Sequence, residues 1–460
     1  MLSREFRLSK NSVGKIFINF YLIILFCSII LVSLPIFGDD LIILTKHHSQ
    51  FSNESFLNQI ALEFKFQSNT SENRFLPIGW FISALLTSLA STMSRIPFID
   101  LNLSWSFLRF VLIIISSMFF YKAYSRSNLQ SKVTYFKYFT LLILTIQLHA
   151  LWGHDAILSY TSTVYSNIIF TCIYIIILSY KNTLLIYFFR IIVLIIGLFN
   201  YEIFISIFGF ILYKTLKCKR MKYRLSYSPD VFVITAYSLY LVYSRTSELP
   251  TYPGIQISPS ILFFPTSVSQ ILSGLPFISI PLYFRELVTE PYNTKILIAM
   301  AITLIVYKNF KMVFFTSRIS ATQIQMQDFF GFTAVYIFAS MLISISVKYQ
   351  DPRYLIPGFT YTQYTYAWLL GPYILLFAFS RLKSLNSIRI LKLLLLSSLF
   401  IFISTSAQIN DKYQLNDRII KYIESPSNAD SLKSIINLLE KENWPQDYKN
   451  QIKSILREVN

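Results

Sequence analysis

Residues 105–120 read WSFLRFVLIIISSMFF, and Arg109 is the one charged residue among them. Within this stretch, Val111–Ser116 is apolar at consecutive positions. A strand of a transmembrane β-barrel would alternate apolar and polar residues, so this pattern favours a helix. Because an unsatisfied backbone group is costly in lipid, a helix is also the form in which such a stretch can cross a bilayer.

Comparable apolar blocks recur along the chain. Of the 460 residues, 54% are hydrophobic and 14% are charged, whereas soluble domains carry roughly 25% charged residues. A bilayer crossing needs about 20 mostly apolar residues, so the shorter blocks must recruit flanking Tyr, Ser and Thr. We therefore predict an all-α polytopic membrane protein with about eleven transmembrane helices. The blocks are Ile16–Phe37, Trp105–Phe120, Ile168–Ser179, Leu184–Phe199, Val231–Val242, Ile296–Val306, Phe329–Ser346 and Leu391–Ile403.

The net charge of +18 indicates membrane topology rather than nucleic-acid binding, because Lys and Arg collect on the cytoplasmic side of membrane proteins. Four basic residues precede the first apolar block and place the N-terminus in the cytoplasm. No small-residue cleavage site follows this block, which is about 22 residues long, so we predict a retained span rather than a signal peptide. The three cysteines lack metal-ligand spacing and predict neither a zinc site nor a disulfide.

Basic clusters fix the predicted cytoplasmic turns at Lys122–Lys137, Lys214–Arg224, Lys308–Lys311 and Arg381–Lys392. The polar turns that fall between them are then outside: Asp39-Asp40, His154-Asp155, Asn200–Glu202 and Asp351–Arg353. Two apolar blocks between Asp40 and Lys122 would return the chain to the wrong side. We therefore predict that Phe75–Met93, which Pro77 and Gly79 interrupt, dips into the membrane or lies along its surface.

The chain divides into a transmembrane domain at residues 1–405 and a tail at residues 406–460. The domain contains two predicted periplasmic loops, 38–74 and 244–294, and the second holds a short membrane-lying helix near Ile271–Leu287. From Asp411 to Glu458 the tail has eight basic and eight acidic residues, which fits a periplasmic location. Two amphipathic helices, near Leu415–Ile423 and Asp430–Lys441, predict a small helical appendage.

The most unusual polar motif is Asp39-Asp40 at the outer end of the first span. Two adjacent carboxylates near low dielectric repel each other, so a cation, a metal or an Arg should compensate them. The alternative is a solvated pair that simply ends a helix. Arg74 opens the next apolar block, where it either anchors the helix at the headgroups or forms a fork for a phosphate.

Glu202 is the only charge in a long apolar region that folds back at Asn200 and Tyr201. Because ionisable groups at membrane depth are costly, Glu202 is a candidate functional residue. The alternative is a structural carboxylate that is paired with a basic residue. The other outer candidates are His154-Asp155 and Arg353, which otherwise form a simple turn and a headgroup anchor.

His47 and His48 follow the acidic pair on the same predicted loop. Adjacent histidines chelate poorly, so we predict that both are solvated loop residues.

Carboxylates and arginines that meet at one face of a membrane suit a lipid-phosphate donor. The arginines would hold the phosphate leaving group, and a carboxylate would take a proton from an incoming hydroxyl. A transporter would instead place its charges near the bilayer midplane on broken helices.

In this order of motifs the chain resembles the GT-C superfamily of polytopic glycosyltransferases, and within it the bacterial and phage-borne glucosyltransferases that modify O-antigen and change serotype. Asp39-Asp40 matches their acidic pair. Asn73–Pro77 resembles their Gly-Arg element, with Asn in place of Gly. Asn200–Glu202 resembles a Tyr-Glu turn and Arg353–Leu355 a late Arg-Tyr element, so that the resemblance covers about Phe17 to Pro372.

The resemblance implies a role for each motif. Asp39 would be the general base, and Asp40 would orient it or help to bind a divalent metal, Mg²⁺ or Mn²⁺; whether a metal is needed is left open. Arg74 and Arg353 would hold the donor phosphate. The residues implied in sugar or acceptor binding are His154, Asp155, Glu202, Tyr201 and Trp80.

The implied donor is a sugar, glucose by resemblance, on undecaprenyl phosphate in the bacterial inner membrane, with a donor synthase and flippase in the same pathway. The acceptor would be a lipid-linked or polymeric O-antigen. Three alternatives stay open: an O-antigen polymerase, although those enzymes rely on Arg-rich outer loops; a transporter or flippase of lipid-linked sugar; and a structural membrane protein.

Overall fold

The computed structural model describes most of the helical elements. It covers residues 39–70, 74–124, 161–180, 183–217, 226–247, 260–273, 297–305, 326–350, 396–404, 414–426, 429–441 and 446–459, with isolated positions between 21 and 36 and between these ranges. Within these ranges every regular element is helical, and the one β-type contact is an isolated antiparallel bridge between Ile257 and Ser346. The all-α prediction is therefore confirmed for this part of the chain.

Thirteen α-helices are used below, numbered in chain order. The first four are α1 (Asp39–Phe51), α2 (Phe56–Thr70), α3 (Pro77–Met93) and α4 (Leu101–Tyr124). They are followed by α5 (Thr161–Leu178), α6 (Leu184–Asn200), α7 (Ile207–Lys217), α8 (Ser228–Ser247), α9 (Phe263–Ser273) and α10 (Met326–Ser344). The tail contributes α11 (Gln414–Glu424), α12 (Ala429–Lys441) and α13 (Gln446–Val459), and short 3₁₀ turns lie at Glu202–Ser206 and Val347–Gln350.

Two of the described helices are long and apolar enough to cross a membrane, over Leu101–Ala123 and Thr161–Leu178. Three shorter apolar helices, Pro77–Met93, Leu184–Asn200 and Phe330–Ser344, accompany them. The total of about eleven crossings stays a prediction.

Helices α4 to α8 and α10 form a bundle around one hydrophobic core, which includes Tyr165, Phe204 and Phe210. Many buried hydroxyls in this bundle donate to the carbonyl one turn earlier, as Thr171 does to Asn167 at 2.9 Å. Since these groups are satisfied inside their own helix, they need no water.

The outer surface of the bundle is apolar. Leu184 is 88% exposed, Phe232 73% and Leu239 64%. Helix α9 shows the same arrangement most clearly, because Phe264 and Val268 are exposed while its polar side chains Thr266, Ser269 and Gln270 are buried. The sequence predicts a membrane-lying helix near Ile271–Leu287; the described helix lies earlier, at Phe263–Ser273, and residues 274–287 are outside the described ranges.

A second hydrophobic cluster holds the tail against the first part of the chain. We call α1, α2 and α11–α13 the cap. Helix α11 buries Leu415, Ile419 and Ile423 at helical spacing, and these side chains join Leu439 and Leu456 from α12 and α13. The two predicted tail helices are confirmed, and α13 is an additional one.

The cap is fixed to the bundle through the start of α4. Asp100 caps this helix by accepting the Leu103 amide at 2.6 Å. The Leu101 amide donates to Glu424 of α11 at 2.5 Å. Trp105 belongs to the hydrophobic cluster of the cap, so the tail packs directly against an apolar helix of the bundle.

Residues 39–70, predicted as a loop, form two helices, and the prediction that the histidines are solvated is wrong for His47. His47 is fully buried on α1, with its Nδ1 2.9 Å from Glu63 and its Nε2 3.3 Å from Gln59. His48 is partly buried, 3.2 Å from the Ser91 hydroxyl. The reason is that α1 and α2 pack on each other and on α3, which encloses the polar side chains between them.

Helix α3 runs from the end of α6 to the start of α4. Gly79, in its first turn, lies against the end of α6, and a Cβ at this position would be 2.3 Å from the Asn200 carbonyl oxygen. Ala90, in its last turn, packs with Leu101 and Trp105 at the start of α4. Only a glycine permits this approach, and it brings Arg74, just before the helix, next to the chain that follows α6.

Candidate functional site

Asp40 accepts three hydrogen bonds from two residues. It is 3% exposed, and its Oδ2 accepts the Trp105 indole N–H at 3.0 Å, the Thr161 hydroxyl at 2.7 Å and the Thr161 amide at 3.3 Å. Asp40 follows the first apolar block and lies at the start of α1, facing the N-terminus of α5, where the helix dipole favours a negative charge.

Burial raises the pKa of Asp40 to about 6, against the opposing effects of the Thr161 hydrogen bonds and the positive charge of Arg109. With one oxygen committed to three donors, the Asp40 carboxylate has a fixed orientation. The side chain of Asp39, its neighbour, lies outside the described atoms.

The second polar centre contains Arg74, Glu202 and Arg245. The Arg74 Nε is 3.9 Å from Glu202 Oε1, and a terminal nitrogen of Arg245 contacts the same oxygen. The side chains are 30%, 16% and 11% exposed respectively. One carboxylate therefore lies between two guanidinium groups, which leaves the cluster with a net charge of about +1.

Local structure explains how the three residues meet. Helix α6 ends at Asn200, Tyr201 is extended, and the 3₁₀ turn Glu202–Ser206 leads into α7, so that Glu202 lies between two apolar helices. Pro77 at the first turn of α3 sets the direction from which Arg74 arrives. Arg245 lies in the last turn of α8.

These side chains line a cavity of about 210 Å³. Its walls are the 3₁₀ turn, the end of α8 and the end of α10, and the bridge between Ile257 and Ser346 closes one side. Tyr201 and Tyr349 add two aromatic residues to the lining.

A second, apolar cavity of about 420 Å³ lies beside the first. Arg74 lines the polar cavity and Phe75 the apolar one, and α8 contributes to both. Phe75 packs edge-on against Phe199, with ring centroids 5.7 Å apart, and Phe199 packs in the same way against Tyr237 at 5.9 Å. The remaining lining residues are Ile195, Leu198, Val233 and Tyr240.

Helix α5 connects Asp40 with the end of α6. Thr161 in its first turn binds Asp40, and Ser166 donates to the Asn200 side-chain oxygen at 3.0 Å. Five residues of α-helix span about 7.5 Å. The two polar centres therefore lie at the same end of the bundle, although Asp40 is not among the residues that line either described cavity.

The predicted site residues have different outcomes. Tyr201 and Glu202 line the polar cavity with Arg74. Trp80 is outside both linings; its ring packs edge-on against Phe64 and Phe75, each at 6.0 Å. His154, Asp155 and Arg353 lie outside the described residues.

The sequence analysis missed Arg245. It is a single basic residue directly after the apolar block Val231–Val242, at the start of a segment predicted to be outside. Because Lys and Arg are depleted on that side, an isolated Arg there was the available signal.

No three His, Cys, Asp or Glu side chains in the described part of the chain come together to hold a metal ion. The Oδ2 of Asp40 already accepts three hydrogen bonds, so Oδ1 is the oxygen of this residue that a metal could contact. We assign no step to a metal. Comparison with protein-family models, curated proteins and solved structures finds no match to this chain.

Proposed function

We propose that the protein is a polytopic glycosyltransferase of the bacterial inner membrane. It would move a sugar, glucose by resemblance, from undecaprenyl phosphate to an O-antigen or related surface glycan at the periplasmic face. The observation that carries this proposal is the pairing of two cavities. An arginine-lined cavity and an aromatic, apolar cavity adjoin at the consecutive residues Arg74 and Phe75.

The paired cavities match the two parts of a lipid-linked sugar phosphate. Arg74 and Arg245 supply guanidinium groups, which recognise phosphate oxygens with geometric specificity. The apolar cavity has no charged lining residue among those described and offers rings for an isoprenoid chain. Arg353 remains a further candidate for the phosphate.

The chemistry needs one proton acceptor and one stabilised leaving group. The acceptor hydroxyl oxygen attacks the anomeric carbon of the sugar, and its proton passes to the carboxylate of Asp39. The bond from the anomeric carbon to the phosphate oxygen breaks, and its electron pair leaves with undecaprenyl phosphate, whose charge the arginines stabilise. Asp40, fixed by Trp105 and Thr161, orients the acidic pair.

A membrane location is supported by the outer surface of the bundle. Large apolar side chains on α6 and α8 and at Leu297, which is 68% exposed, form the kind of surface that lipid covers. In the proposed topology the N-terminus is cytoplasmic and the cap is periplasmic, beside the acidic pair. The donor synthase and the donor flippase are separate proteins of the same pathway.

The proposal is tested by expressing the protein in a smooth Gram-negative strain that makes the donor, and analysing the O-antigen by NMR. We expect a new side-branch sugar that is lost in Asp39→Ala and in Arg74→Ala. Asp417→Ala, at a partly exposed position of the cap, is the matched control and should retain the branch. An unaltered glycan from wild-type protein that is present in the membrane would overturn the proposal.

A flippase is distinguished in reconstituted vesicles. The transferase proposal predicts no movement of lipid-linked sugar across the bilayer, with or without the Asp39→Asn change. Translocation that depends on Asp39 would replace the transferase with a flippase.

A further inference from the structure

Arg74 and Arg245 approach the same carboxylate oxygen of Glu202 from different helices. Arg74 precedes α3 and Arg245 lies in the last turn of α8, so the charge cluster joins these two elements. A carboxylate between two guanidinium groups is a poor proton acceptor, because both neighbours favour its ionised form. Glu202 is therefore unsuited to act as a base.

The two arginines form an anion-binding site that the Glu202 carboxylate already occupies. Guanidinium groups bind carboxylates and phosphates with the same fork of donors. The three side chains together carry a formal charge of about +1. The cavity of about 210 Å³ around them is well above the roughly 10–15 Å³ that a single water needs, so it has room for a phosphate group.

We propose that Arg245 is a phosphate-binding residue and that Glu202 occupies the arginine pair until the phosphate of a lipid-linked ligand displaces it. The ligand class is a phosphate ester with a long apolar chain, which would enter the cavity of Phe75, Phe199 and Tyr237. This inference rests on the proposed function for the identity of the lipid. The role of Glu202 differs from the sugar or acceptor contact that the resemblance implies.

Displacement of Glu202 predicts opposite changes in phosphate affinity when Glu202 and Arg245 are substituted. The carboxylate competes with the ligand for both arginines, so its removal strengthens phosphate binding. Removal of Arg245 weakens it, because a hydrogen bond between charged groups is lost. A carboxylate that contacted only the sugar would not compete for the arginines, so its loss would not strengthen the binding of a phosphate that carries no sugar.

The test measures binding to the purified full chain in nanodiscs with three probes: a polyprenyl phosphate, the polyprenol of equal length, and inorganic phosphate. We expect Arg245→Gln to weaken polyprenyl phosphate binding at least about tenfold and to leave polyprenol unchanged. Glu202→Gln should strengthen polyprenyl phosphate binding a few-fold. Inorganic phosphate, which lacks the chain, should bind more weakly but follow the same order of variants.

Arg95→Gln is the matched control, because Arg95 is exposed and donates to the Glu54 carbonyl in the cap at 2.8 Å. It should bind all three probes as wild type does. Glu202→Gln leaves two arginines without their carboxylate, so its folding is checked by thermal unfolding. The double variant Glu202→Gln/Arg245→Gln should bind more tightly than Arg245→Gln, because Arg74 no longer has its competing carboxylate, and less tightly than Glu202→Gln.

Unchanged or weaker polyprenyl phosphate binding in folded Glu202→Gln, or unchanged binding in Arg245→Gln, would overturn the inference. If Glu202→Gln fails to fold, the double variant decides, and binding in it no tighter than in Arg245→Gln would equally overturn the inference. Sugar transfer is measured separately in the same preparations. If the variants bind phosphate as expected but no sugar is transferred, the transferase proposal is wrong and this inference stands. If sugar is transferred but Arg245→Gln binds phosphate as wild type does, this inference is wrong and the transferase proposal stands.

Discussion

The bundle and the cap are both helical, but they distribute polarity in opposite ways. In the cap, α11 buries Leu415, Ile419 and Ile423 and exposes charged side chains such as Lys421. Among the helices outside the cap, α9 buries its hydroxyls and exposes Phe264. The helices of the cap therefore present a polar surface suited to water, and α9 presents an apolar surface suited to lipid.

Ion pairs show the same contrast. In the bundle, Arg190 and Asp230 are 2.8 Å apart and almost completely buried, and Tyr174 donates to the same Asp at 2.8 Å. In the cap, Lys421 and Asp417 are 2.7 Å apart, with the Lys side chain 64% exposed. Water screens the second pair and not the first, so charge matters more in the bundle.

The largest expected effect comes from breaking the buried pair. Asp230→Asn leaves the Arg190 guanidinium charged and buried, which we expect to lower the free energy of unfolding by about 3–5 kcal/mol. Thermal unfolding in detergent measures the change. Asp417→Asn is the matched control, with an expected loss below about 0.5 kcal/mol. Equal losses in the two variants would contradict the contrast between the regions.

The next effect tests which solvent covers the bundle. Leu239 is in the middle of α8 and 64% exposed. If lipid covers it, Leu239→Asp costs about 2.5–3.5 kcal/mol, the price of an acidic residue at the centre of a membrane helix. Membrane insertion and stability in nanodiscs report this change. Ser434→Asp, at an exposed position of α12 in the cap, should be close to neutral, and a neutral Leu239→Asp would show that water covers this face.

The smallest effect concerns the contact between the two regions. Burial raises the pKa of Glu424 to about 7 from the ordinary 4.5, opposed by its hydrogen bond from the Leu101 amide. Below about pH 4.5 the carboxyl is protonated in folded and unfolded protein alike. As the pH rises toward 7, the unfolded state loses its proton first, so the cap loses stability, by about 1–2 kcal/mol after allowance for partial solvent screening.

Glu424→Gln keeps an oxygen for the Leu101 amide and removes the titration. We expect slower amide exchange in α11 than in wild type at pH 8, and equal exchange at pH 5. Gln414→Glu, at an exposed position of α11, serves as the control and should leave the pH profile unchanged. A gain in the stability of the wild-type cap between pH 5 and pH 8 would contradict this prediction.

Periodicity and apolar runs were enough to predict much of the fold. The stretch Trp105–Phe120 lies within α4, and the amphipathic spacing of the tail gave α11 and α12 to within one residue at each end. These predictions succeed because each helix buries or exposes a face that its own sequence defines. The helices of residues 39–70 were missed, since polar side chains such as His47 and Glu63 find each other only when α1 packs against α2.

The candidate site was predicted in part for the same reason. Asp40 and Glu202 stand out because a single charge next to an apolar block needs an explanation. Arg245 is equally isolated but lies at a helix end, where an anchoring role is ordinary. Its pairing with Glu202 depends on the turn after Asn200 and on the close approach at Gly79, neither of which local sequence specifies.

Helix α5 has a mechanical consequence for the two polar centres. Thr161 holds Asp40 and Ser166 holds Asn200, and the hydrogen-bonded backbone between them keeps their separation constant. A sliding or tilting of α5 against α4 would therefore displace both anchors together. The acidic pair and the turn that presents Glu202 are therefore coupled through a single rigid element.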